Sequence, residues 1–587
     1  MNKKIKMAGS VLIGGVIALT GAALAGCGSK VPDTADFLEV YCVDLGYGTA
    51  WVDAVAEEFF KQDWVQEKYT GATMENNYRL QTSDQQNYGS TRLGNEATNS
   101  FDLMFDMYLQ QQLVPNGAVL DLTEVVYNAE VPGEGGITFK EKMKDDYVTM
   151  NRYLDVNDPD NEQYFSISWA DGIDTIYYNS VLLAQFLAKH PELSVGVGGT
   201  PNTTDELLAI CEAYRDDWDS AHTDQYGWEN GGFAFVQSKD DDYLAKPFNA
   251  WWAQYEGVDE FYNYWNGIPF GGTTQDLSVF RTHEGVSETL SFMEELLQYH
   301  GRSGERTGGY IHTTYSGSKG FQETQAFFLS GTSPEKGGAI FHANGDWLPR
   351  EMENTLARLG DDADNFRMMR LPVLSALGEE YGITDELLSA MVDHVDNTAN
   401  TVPDELISAQ FPDGGENAKG YTYEEVLAAV AEARGVVHTL GGVHNGIIPV
   451  NATAKDMAVD FLLFMATDIA QEAYAEATKG SFLPFEYNVK EKAPELYESF
   501  SQMQKDKIDY FYPDEGTALY TISTLPMQQQ FALNYYGQVE AIRLNTDWYK
   551  DLLSASPQMT AAEYVADTVN YWTQDRFNNA LKLAGLA

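Results

Sequence analysis

Cysteine is scarce in this chain of 587 residues, which contains only Cys27, Cys42 and Cys211. Cys42 and Cys211 lie far apart in apolar segments, so buried free thiols are favoured over a disulfide. A chain of this length without disulfides must be stabilised by hydrophobic cores. Its composition allows this, because 44% of the residues are hydrophobic and 13% are aromatic.

Basic residues are also scarce. The 37 lysines and arginines stand against 88 aspartates and glutamates, which gives a formal net charge of −51. A surface this acidic repels phosphate backbones and anionic lipid headgroups. Nucleic acid is therefore excluded as an expected partner, and most of the acidic side chains are expected to form a solvated surface.

Motifs for catalysis and for cofactor binding are absent or weak. The nine histidines include no His-Glu-x-x-His pair, and no Gly-x-Ser-x-Gly or Walker-type loop occurs. His438 and His444 are separated by a Gly-rich turn and are interpreted as unrelated rather than as a metal pair. The acidic segment 155–162 has the oxygen ligands that calcium prefers, but it lacks the rest of an EF-hand loop, so an exposed loop is favoured. The sequence therefore predicts no enzyme, no cofactor and no metal site.

Long apolar runs are absent after the N-terminus, where one run covers 7–25. It follows Lys3, Lys4 and Lys6 and leads into Leu24-Ala25-Gly26-Cys27. This order is typical of a secretory signal, and the last four residues resemble the bacterial lipobox. That resemblance implies removal of the signal peptide 1–26, acylation of Cys27 and anchoring to the extracytoplasmic face of the cell membrane, with 27–36 as a flexible tether. An uncleaved membrane anchor is the alternative, since the run is close to the ~20 residues that span a bilayer.

Predicted strands alternate with predicted helices from residue 37 onward. The run 37–43 predicts a buried strand, and Trp51, Val55 and Phe59 predict a helix that begins near Thr49. Further strands are predicted within 101–105, 169–179, 336–347 and 366–371. Such alternation is typical of an α/β fold with mostly parallel sheets. The segment 375–440 is acidic and turn-rich, shows no strong strand pattern and is interpreted as an insertion.

The order of these signatures resembles that of the extracellular solute-binding proteins of carbohydrate ABC importers, the maltose-binding-protein-like family 1. The signatures are the lipobox, the first strand and helix, Phe101-Asp102-Leu103-Met104 with Leu120-Asp121-Leu122, Tyr178-Asn179, Pro201 through Leu207, Gly338-Ala339-Ile340 with Asn344-Gly345-Asp346-Trp347, and 441–464. The resemblance implies a two-lobed α/β fold of type II, with discontinuous lobes, a ligand cleft at the hinge and extra C-terminal helices.

The same resemblance sets the expected lobe boundaries. We expect the N-lobe to comprise 37–170 and 341–445, including the 375–440 insertion. We expect the C-lobe to comprise 171–340 and 446–587, including a C-terminal helical extension.

The family implies a monomeric binder that captures a carbohydrate, first of all an oligosaccharide, and delivers it to the permease subunits of an ABC importer. Three alternatives stay open. One is a surface lipoprotein that cleaves glycans, because 88 carboxylates leave room for a glycosidase pair. Another is a binder of a non-sugar solute such as a polyamine or a peptide, and the third is a tethered scaffold without a small ligand.

Ligand contacts are expected where strands end in loops, since α/β lobes place their sites at the carboxyl ends of strands. A sugar needs rings that stack on its C–H faces and planar polar groups that bond its hydroxyls. The resemblance makes Trp347 the first choice for stacking and Asp171 the first choice for the hydroxyls. Trp251 and Trp252 are neighbours on a helix and diverge by ~100°, so one of them is expected in the core. The full set of candidates is Trp51, Asp106, Tyr108, Trp169, Asp171, Trp251, Trp252, Gln254, Asn344, Asp346, Trp347, His444 and Asn445.

Overall fold

The structure is a computed structural model. It describes residues 36–84, 93, 100–107, 113–114, 117–154, 162–217, 233–237, 243–244, 246–297, 310–311, 320–331, 338–523, 547–552 and 559–583. The predicted signal peptide, Cys27, Tyr108 and most of the acidic segment 155–162 lie outside these residues. Among the helices that are described, none combines the length and the apolar character needed to cross a bilayer.

The strands of the described residues fall into two main sheets and one hairpin. They are β1 (Leu38–Val43), β2 (Tyr78–Ser83), β3 (Leu103–Met107), β4 (Arg152–Leu154), β5 (Glu162–Tyr164), β6 (Ile167–Ser168), β7 (Asp174–Asn179), β8 (Phe341–Gly345), β9 (Phe366–Met369), β10 (Val436–His438), β11 (His444–Ile447) and β12 (Tyr520–Ile522).

Helices cover these sheets and connect their strands. Up to residue 300 they are Ala50–Lys61, Asp63–Lys68, Met74–Asn77, Phe139–Lys142, Asp145–Asn151, Ser180–Lys189, Thr204–Asp217, Phe248–Glu256, Val258–Trp265, Val279–Thr282 and Gly285–Leu297, with a π-helical turn at Thr123–Tyr127. Beyond it they are Phe321–Ser330, Leu348–Glu351, Glu353–Leu359, Ala376–Tyr381, Asp385–Asp396, Asp404–Gln410, Tyr423–Gly435, Lys455–Met465, Asp468–Thr478, Val489–Lys492, Pro494–Ser499, Gln502–Phe511, Asp547–Leu552, Ala561–Tyr571 and Gln574–Leu583, with 3₁₀ turns at Gly360–Asn365, Pro412–Gly414 and Gly441–Val443.

The first sheet has the strand order β2-β1-β3-β11-β6 and forms the N-lobe. β1 is parallel to β2 and β3, whereas β11 is antiparallel to β3 and β6. All six residues of β1 are buried, as expected of a central strand covered on both faces. Trp51, Val55 and Phe59 form the buried face of the first long helix. The predicted opening strand and helix are therefore confirmed.

The second sheet has the strand order β12-β10-β7-β8 and forms the C-lobe, with β9 also pairing with β7. β8 is antiparallel to β7, and β10 and β9 pair with successive parts of β7. Its core includes side chains of the helices Phe248–Glu256, Gly285–Leu297 and Ala561–Tyr571.

Within the part of the chain that the structure describes, three crossover segments connect the lobes. Residues 169–173 lead from β6 to β7, residues 439–443 lead back from β10 to β11, and residues 479–501 lead from the N-lobe helices to the C-lobe helix Gln502–Phe511. Each lobe is thus built from discontinuous segments, and the fold class that the sequence predicts, a two-lobed α/β fold, is confirmed.

The predicted lobe boundaries are wrong for two segments. Residues 341–438 contribute β8, β9 and β10 to the C-lobe sheet rather than to the N-lobe. Residues 446–478 belong to the N-lobe, since β11 pairs with β3 and the helix Lys455–Met465 packs in the N-lobe core. The local pattern shows that a segment is a strand, but the sheet that it joins depends on long-range pairing that no local pattern reveals.

The predicted insertion 375–440 is mostly helical and carries its own hydrophobic core. Leu387, Leu388 and Met391 pack there against Val426 and Val430. Residues 436–438 near its end form the short strand β10, for which the sequence shows no strong pattern. The insertion is attached to the C-lobe, because Ser389 donates a hydrogen bond to Glu206 of the C-lobe helix Thr204–Asp217 (2.7 Å).

Candidate functional site

Aromatic rings from both lobes meet where the crossovers pass between the sheets. We call Tyr47, Trp51, Trp169, Trp347 and His444 the ring cluster. Trp51 and Trp169 are stacked, with centroids 5.4 Å apart and planes at 16°. Tyr47 packs edge-on against Trp169, Trp347 and His444 at 5.9, 6.0 and 5.7 Å. All five side chains are buried, so the ring cluster is packed in the interface between the lobes.

Local sequence places these rings. Tyr47 lies in the short loop between β1 and the first long helix, and Gly46 lets this loop lie against the C-lobe. A Cβ atom on Gly46 would come within 2.7 Å of Trp347 Cγ. His444 begins β11 and lies opposite Met107 of β3. Trp169 follows β6 at the start of the first crossover, so its ring is fixed at the hinge itself.

Buried charges surround the ring cluster and connect both lobes. We call Tyr47, Lys144, Asp171, Asp346 and Lys507 the interlobe network. Lys507 Nζ lies 2.7 Å from Asp171 Oδ1 and 2.6 Å from Asp346 Oδ2, and Lys144 Nζ lies 2.9 Å from Asp171 Oδ2. Tyr47 donates a hydrogen bond to Asp346 Oδ1 (2.6 Å). Tyr47 and Lys144 come from the N-lobe, Asp171 from a crossover, and Asp346 and Lys507 from the C-lobe.

The interlobe network keeps its groups charged despite their burial. Burial alone would raise the pKa of Asp171, but the ammonium groups of Lys144 and Lys507 outweigh burial and hold that pKa below its usual range. Burial alone would lower the pKa of Lys507, yet Asp171 and Asp346 raise it above the usual value. A buried ion pair of this kind is stable only while all partners are present.

Asp171 and Asp346 are engaged by protein groups in this structure. Asp171 also accepts a hydrogen bond from the backbone N–H of Phe482 (3.3 Å), and Asp346 accepts one from Ser481 (3.0 Å). The carboxylate of Asp171 was expected to face ligand hydroxyls. For a ligand hydroxyl to reach Asp171, it must either replace one of the bonds that Asp171 makes to protein groups or bind in addition to them.

Other buried polar atoms near the ring cluster have no hydrogen-bond partner among the described residues. They are Trp51 Nε1, Asp174 Oδ1, His444 Nδ1 and Tyr474 Oη. The ring of Tyr474 lies 5.1 Å from that of Trp51. Burial, together with the charges of Asp171 and Asp346, raises the pKa of its hydroxyl group. Leaving such a group unpaired costs about 1–3 kcal/mol, so these atoms are the strongest structural candidates for contacts with a polar ligand.

His444 is neutral at physiological pH. Its burial lowers the pKa of the imidazole to about 4, so the ring does not carry a charge above this pH. A neutral imidazole offers one donor and one acceptor. Nδ1 can therefore face either the hydrogen or the oxygen of a hydroxyl group, as the tautomer allows.

On the C-lobe side, Trp347 and Tyr243 form an aromatic platform. Their centroids lie 5.7 Å apart and their planes are tilted by 58°, so the two rings form an angled surface rather than a flat one. The ammonium group of Lys246 lies over both rings, 4.9 Å from the centroid of Trp347 and 4.1 Å from that of Tyr243. It also lies 3.9 Å from Asp174 Oδ1, and Asp174 Oδ2 is paired with His438 Nδ1 (2.9 Å).

The structure brings most of the sequence-predicted residues to this junction. Trp51, Trp169, Trp347 and His444 are in the ring cluster, and Asp171 and Asp346 are in the interlobe network. Asp106 and Asn445 face each other across β3 and β11, and Trp169 Nε1 donates to the Asp106 carbonyl (3.4 Å). Asn344 is buried in β8, where its side chain accepts from the N–H of Gly345 (2.8 Å).

Three predicted residues lie elsewhere, in the C-lobe core. Trp251 and Trp252 are both fully buried and pack in the C-lobe core rather than in the ring cluster, so a ligand contact by either of them stays a prediction. Trp251 donates to the carbonyl of Pro372 (3.0 Å), and Trp252 packs against Tyr264 at 4.7 Å. Gln254 accepts from the N–H of Leu374 (3.0 Å). An aromatic-dense helix is an ordinary core signal, and here the core explains it.

Several residues of the junction were missed from the sequence, namely Tyr47, Lys144, Asp174, Lys246, Tyr474 and Lys507. Tyr47 has a local signal, because it lies between two glycines in the loop after the first strand. Lys507 has none, since it comes from a helix far along the chain that docks on β9 through Asp506 and Arg367 (2.5 Å). Among the described residues, no group of three or more histidine, cysteine and acidic side chains is placed to hold a metal ion.

No protein-family model matches the chain, and no curated protein matches it. Solved structures do resemble it. A chitin oligosaccharide binding protein has a TM-score of 0.50 at 14% identity, covering 93% of this chain and 100% of that chain. A family 1 extracellular solute-binding protein from Bifidobacterium longum subsp. infantis has a TM-score of 0.48 at 12% identity, with 91% and 98% coverage. A probable secreted solute-binding lipoprotein from Streptomyces coelicolor has a TM-score of 0.48 at 14% identity, with 92% and 98% coverage. The first likeness shows that this chain shares the fold of that oligosaccharide-binding protein.

Proposed function

We propose that this protein is a solute-binding protein that captures a carbohydrate, in the first place an oligosaccharide, between its lobes and delivers it to an ABC importer. One observation carries the proposal: rings and unpaired buried polar groups from both lobes converge at the crossovers. A ligand that satisfies both sets of groups at once stabilises the form in which the lobes are together.

The chemistry of the junction suits a sugar. Pyranose rings present C–H faces to aromatic rings, and Trp347 and Tyr243 form an aromatic platform of that kind. Sugar hydroxyls both donate and accept, as Asp174 Oδ1, His444 Nδ1 and Tyr474 Oη together require. A chitin oligosaccharide binding protein of the same fold gives independent support for a carbohydrate ligand.

Charge at the junction does not favour a cationic ligand. Three ammonium groups meet three carboxylates there, from Lys144, Lys246, Lys507, Asp171, Asp174 and Asp346. The junction is therefore locally balanced and offers a polyamine no excess negative charge. A neutral sugar needs none.

Binding without cleavage is the favoured activity. A glycosidase needs one carboxyl group whose raised pKa keeps it protonated as a general acid. At this junction the Lys144 and Lys507 ammonium groups hold the pKa of Asp171 below its usual value, which argues against Asp171 as that acid. Burial raises the pKa of Glu351, whose carboxyl group interacts with the Lys246 ammonium group, to about 7, so Glu351 is a candidate for a general acid. We favour a receptor on the likeness in fold, and the surface glycosidase stays as the alternative that the experiment below tests.

Location follows from the N-terminus. We propose that residues 1–26 are a signal peptide, that acylated Cys27 anchors the protein to the extracytoplasmic face of the membrane, and that the chain acts as a monomer. A short tether keeps the binding lobes near a permease at high effective concentration.

The test uses the protein without its first 27 residues. Thermal unfolding and calorimetry are measured with a panel of neutral mono- and oligosaccharides, and each mixture is analysed for cleaved products. We expect a rise in melting temperature with at least one intact oligosaccharide, since ligand at 100 times its Kd adds about 2.7 kcal/mol. New reducing ends would overturn the receptor proposal in favour of the glycosidase. A shift only with polyamines or peptides would overturn the choice of sugar.

A further inference from the structure

Lys246 occupies the aromatic platform. Its ammonium group lies over the rings of Tyr243 and Trp347, 4.1 and 4.9 Å from their centroids. An aromatic face attracts a cation and the C–H face of a sugar alike. A ligand ring that stacks on the platform at this position therefore competes directly with Lys246.

Among the described residues, the other groups that cover Trp347 are of two kinds. Gly46 and Tyr47 lie on the N-lobe and leave Trp347 when the lobes separate. Gly345 belongs to the C-lobe, and its backbone packs against the Trp347 indole. Lys246 is also part of the C-lobe, so it stays over Trp347 after the lobes have opened.

Lys246 is held weakly. Within the described part of the chain, its Nζ atom makes no hydrogen bond, and the ion pair with Asp174 spans 3.9 Å. Its side chain keeps 17% exposure, whereas that of Asp174 keeps 1%. A long lysine side chain can withdraw its ammonium group toward water without moving the backbone. Of the C-lobe groups on Trp347, Lys246 is thus the one that moves at least cost.

We propose that Lys246 is a specificity-determining residue that holds the platform in the ligand-free protein and is displaced by the ligand's ring. This inference rests on the proposed function. Ligands that reach the platform must displace the ammonium group of Lys246. Ligands that bind only to the unpaired polar atoms of the N-lobe, which are Trp51 Nε1, His444 Nδ1 and Tyr474 Oη, need not displace it. Lys246 therefore lowers the affinity for long oligosaccharides relative to ligands too short to use the platform.

The first experiment compares Lys246→Met with the wild type by calorimetry. We expect oligosaccharides that stack on the platform to bind the variant about 2- to 30-fold more tightly, the range that corresponds to the loss of one competing cation–π contact. Lys419→Met is the matched control, since Lys419 has an ion pair of the same 3.9 Å length with Glu380 on the exposed surface. Its affinity should equal that of the wild type.

The second experiment observes Lys246 itself. Lysines are reductively methylated with ¹³C-formaldehyde, and the Lys246 signal is identified by its loss in Lys246→Met. Ring currents from Tyr243 and Trp347 should shift this signal upfield in the ligand-free protein. Saturation with an oligosaccharide should return it to the position of an exposed methylated lysine.

The outcomes separate the two claims. Weaker or unchanged binding by Lys246→Met, or a Lys246 signal that stays upfield at saturation, overturns the role of Lys246 while sugar binding by the wild type upholds the receptor. Binding by Lys246→Met alone supports the displacement. Absence of carbohydrate binding in both proteins overturns the proposed function, and this inference falls with it.

Discussion

At the scale of single residues, Trp347 and Trp251 carry the same ring in opposite settings. Trp347 touches both lobes at the junction, whereas Trp251 packs against Phe292 (4.8 Å) in the C-lobe core. We expect Trp347→Ala to weaken oligosaccharide binding by about 1–3 kcal/mol, through lost stacking and apolar contact.

Trp251→Ala is the matched control for that change. It should lower the free energy of unfolding by about 3–5 kcal/mol, because it leaves a cavity in a packed core. Calorimetry and urea unfolding on both variants separate the two roles. Equal affinity of Trp347→Ala and wild type, with native melting, would show that Trp347 is not a stacking platform.

Lys507 shows what a buried charge contributes to the interlobe network. Lys507→Met leaves Asp346 without an ammonium partner and Asp171 with Lys144 alone. We expect a loss of about 3–5 kcal/mol in the free energy of unfolding, since a buried carboxylate is left without compensation.

Lys505→Met on the same helix is its control. Lys505 pairs with the largely exposed Glu498 at 2.8 Å, so its loss should cost about 0–1 kcal/mol. Urea unfolding at neutral pH measures both. Equal losses in the two variants would contradict a stabilising role for the interlobe network.

Glu351 makes stability depend on pH. Burial raises the pKa of its carboxyl group to about 7, while an unfolded glutamate titrates near 4.3. Between these values the folded protein holds the proton more tightly than the unfolded chain does. The contribution of Glu351 to the free energy of unfolding is therefore fully present below about pH 4 and is lost as the pH rises through 7.

Glu351→Gln should abolish this loss. Gln325 donates to Glu351 (2.6 Å) while its own Oε1 lacks a partner among the described residues, and a glutamine amide can donate to that oxygen. We expect the variant to match the wild type at pH 4 and to exceed it at pH 8 by on the order of 1–2 kcal/mol. Glu353→Gln, on an exposed side chain, is the control. A pH profile identical to that of the wild type would refute the role of Glu351.

The sequence predicts the rings of the junction better than its charges. Trp169 and Trp347 follow strands and Trp51 lies in the first turn of a helix, and both kinds of position are visible in the local pattern of apolar and polar residues. Lys507 binds Asp171 from more than 300 residues away in the chain. Such a partner is set by tertiary docking, for which the sequence around Lys507 carries no signal.

At the scale of elements, the loop between β1 and the first long helix decides how closely the lobes approach. Gly46 of this loop lies against Trp347, and a Cβ atom would lie 2.7–3.0 Å from the indole. Gly46→Val should therefore oppose closure by about 1–3 kcal/mol. Since only the closed form makes all the ligand contacts, affinity should fall about 5- to 150-fold.

Small-angle scattering tests this effect on the lobes directly. The ligand-free and ligand-saturated variant should both be more extended than the wild type. Gly198→Val is the control, because a Cβ atom at Gly198 has open space around it. Unchanged scattering and affinity in Gly46→Val would show that this loop does not limit closure.

Individual elements were predictable, but their assembly was not. The strand that includes Ala343 was correctly recognised from its apolar residues, yet it was assigned to the wrong lobe. Its partner is β7, where Ile176 faces Ala343. Sheet membership depends on which strands meet after collapse, and that is a property of the whole chain.

At the scale of the whole molecule, charge is distributed unevenly. The chain carries a formal net charge of −51, yet Lys144, Lys246 and Lys507 lie together at the lobe junction. The surface therefore keeps the protein soluble and away from anionic headgroups, while the junction is locally balanced. If the protein serves a permease, as proposed, a molecule that avoids the membrane surface electrostatically needs another means to stay near it.

Cys27 supplies that means on our proposal. Two or more acyl chains hold a protein firmly at a bilayer, whereas the short polar tether lets the lobes move. Cys27→Ser in the full-length chain should release the protein from the membrane fraction or leave its signal uncut, and it should abolish incorporation of labelled palmitate. Cys211→Ser is the control, since Cys211 is a buried thiol in the C-lobe core and should not affect attachment. Labelled Cys27→Ser would place the lipid on another residue, whereas a wild-type protein that retains residues 1–26 and carries no label would identify an uncleaved anchor instead of a lipid.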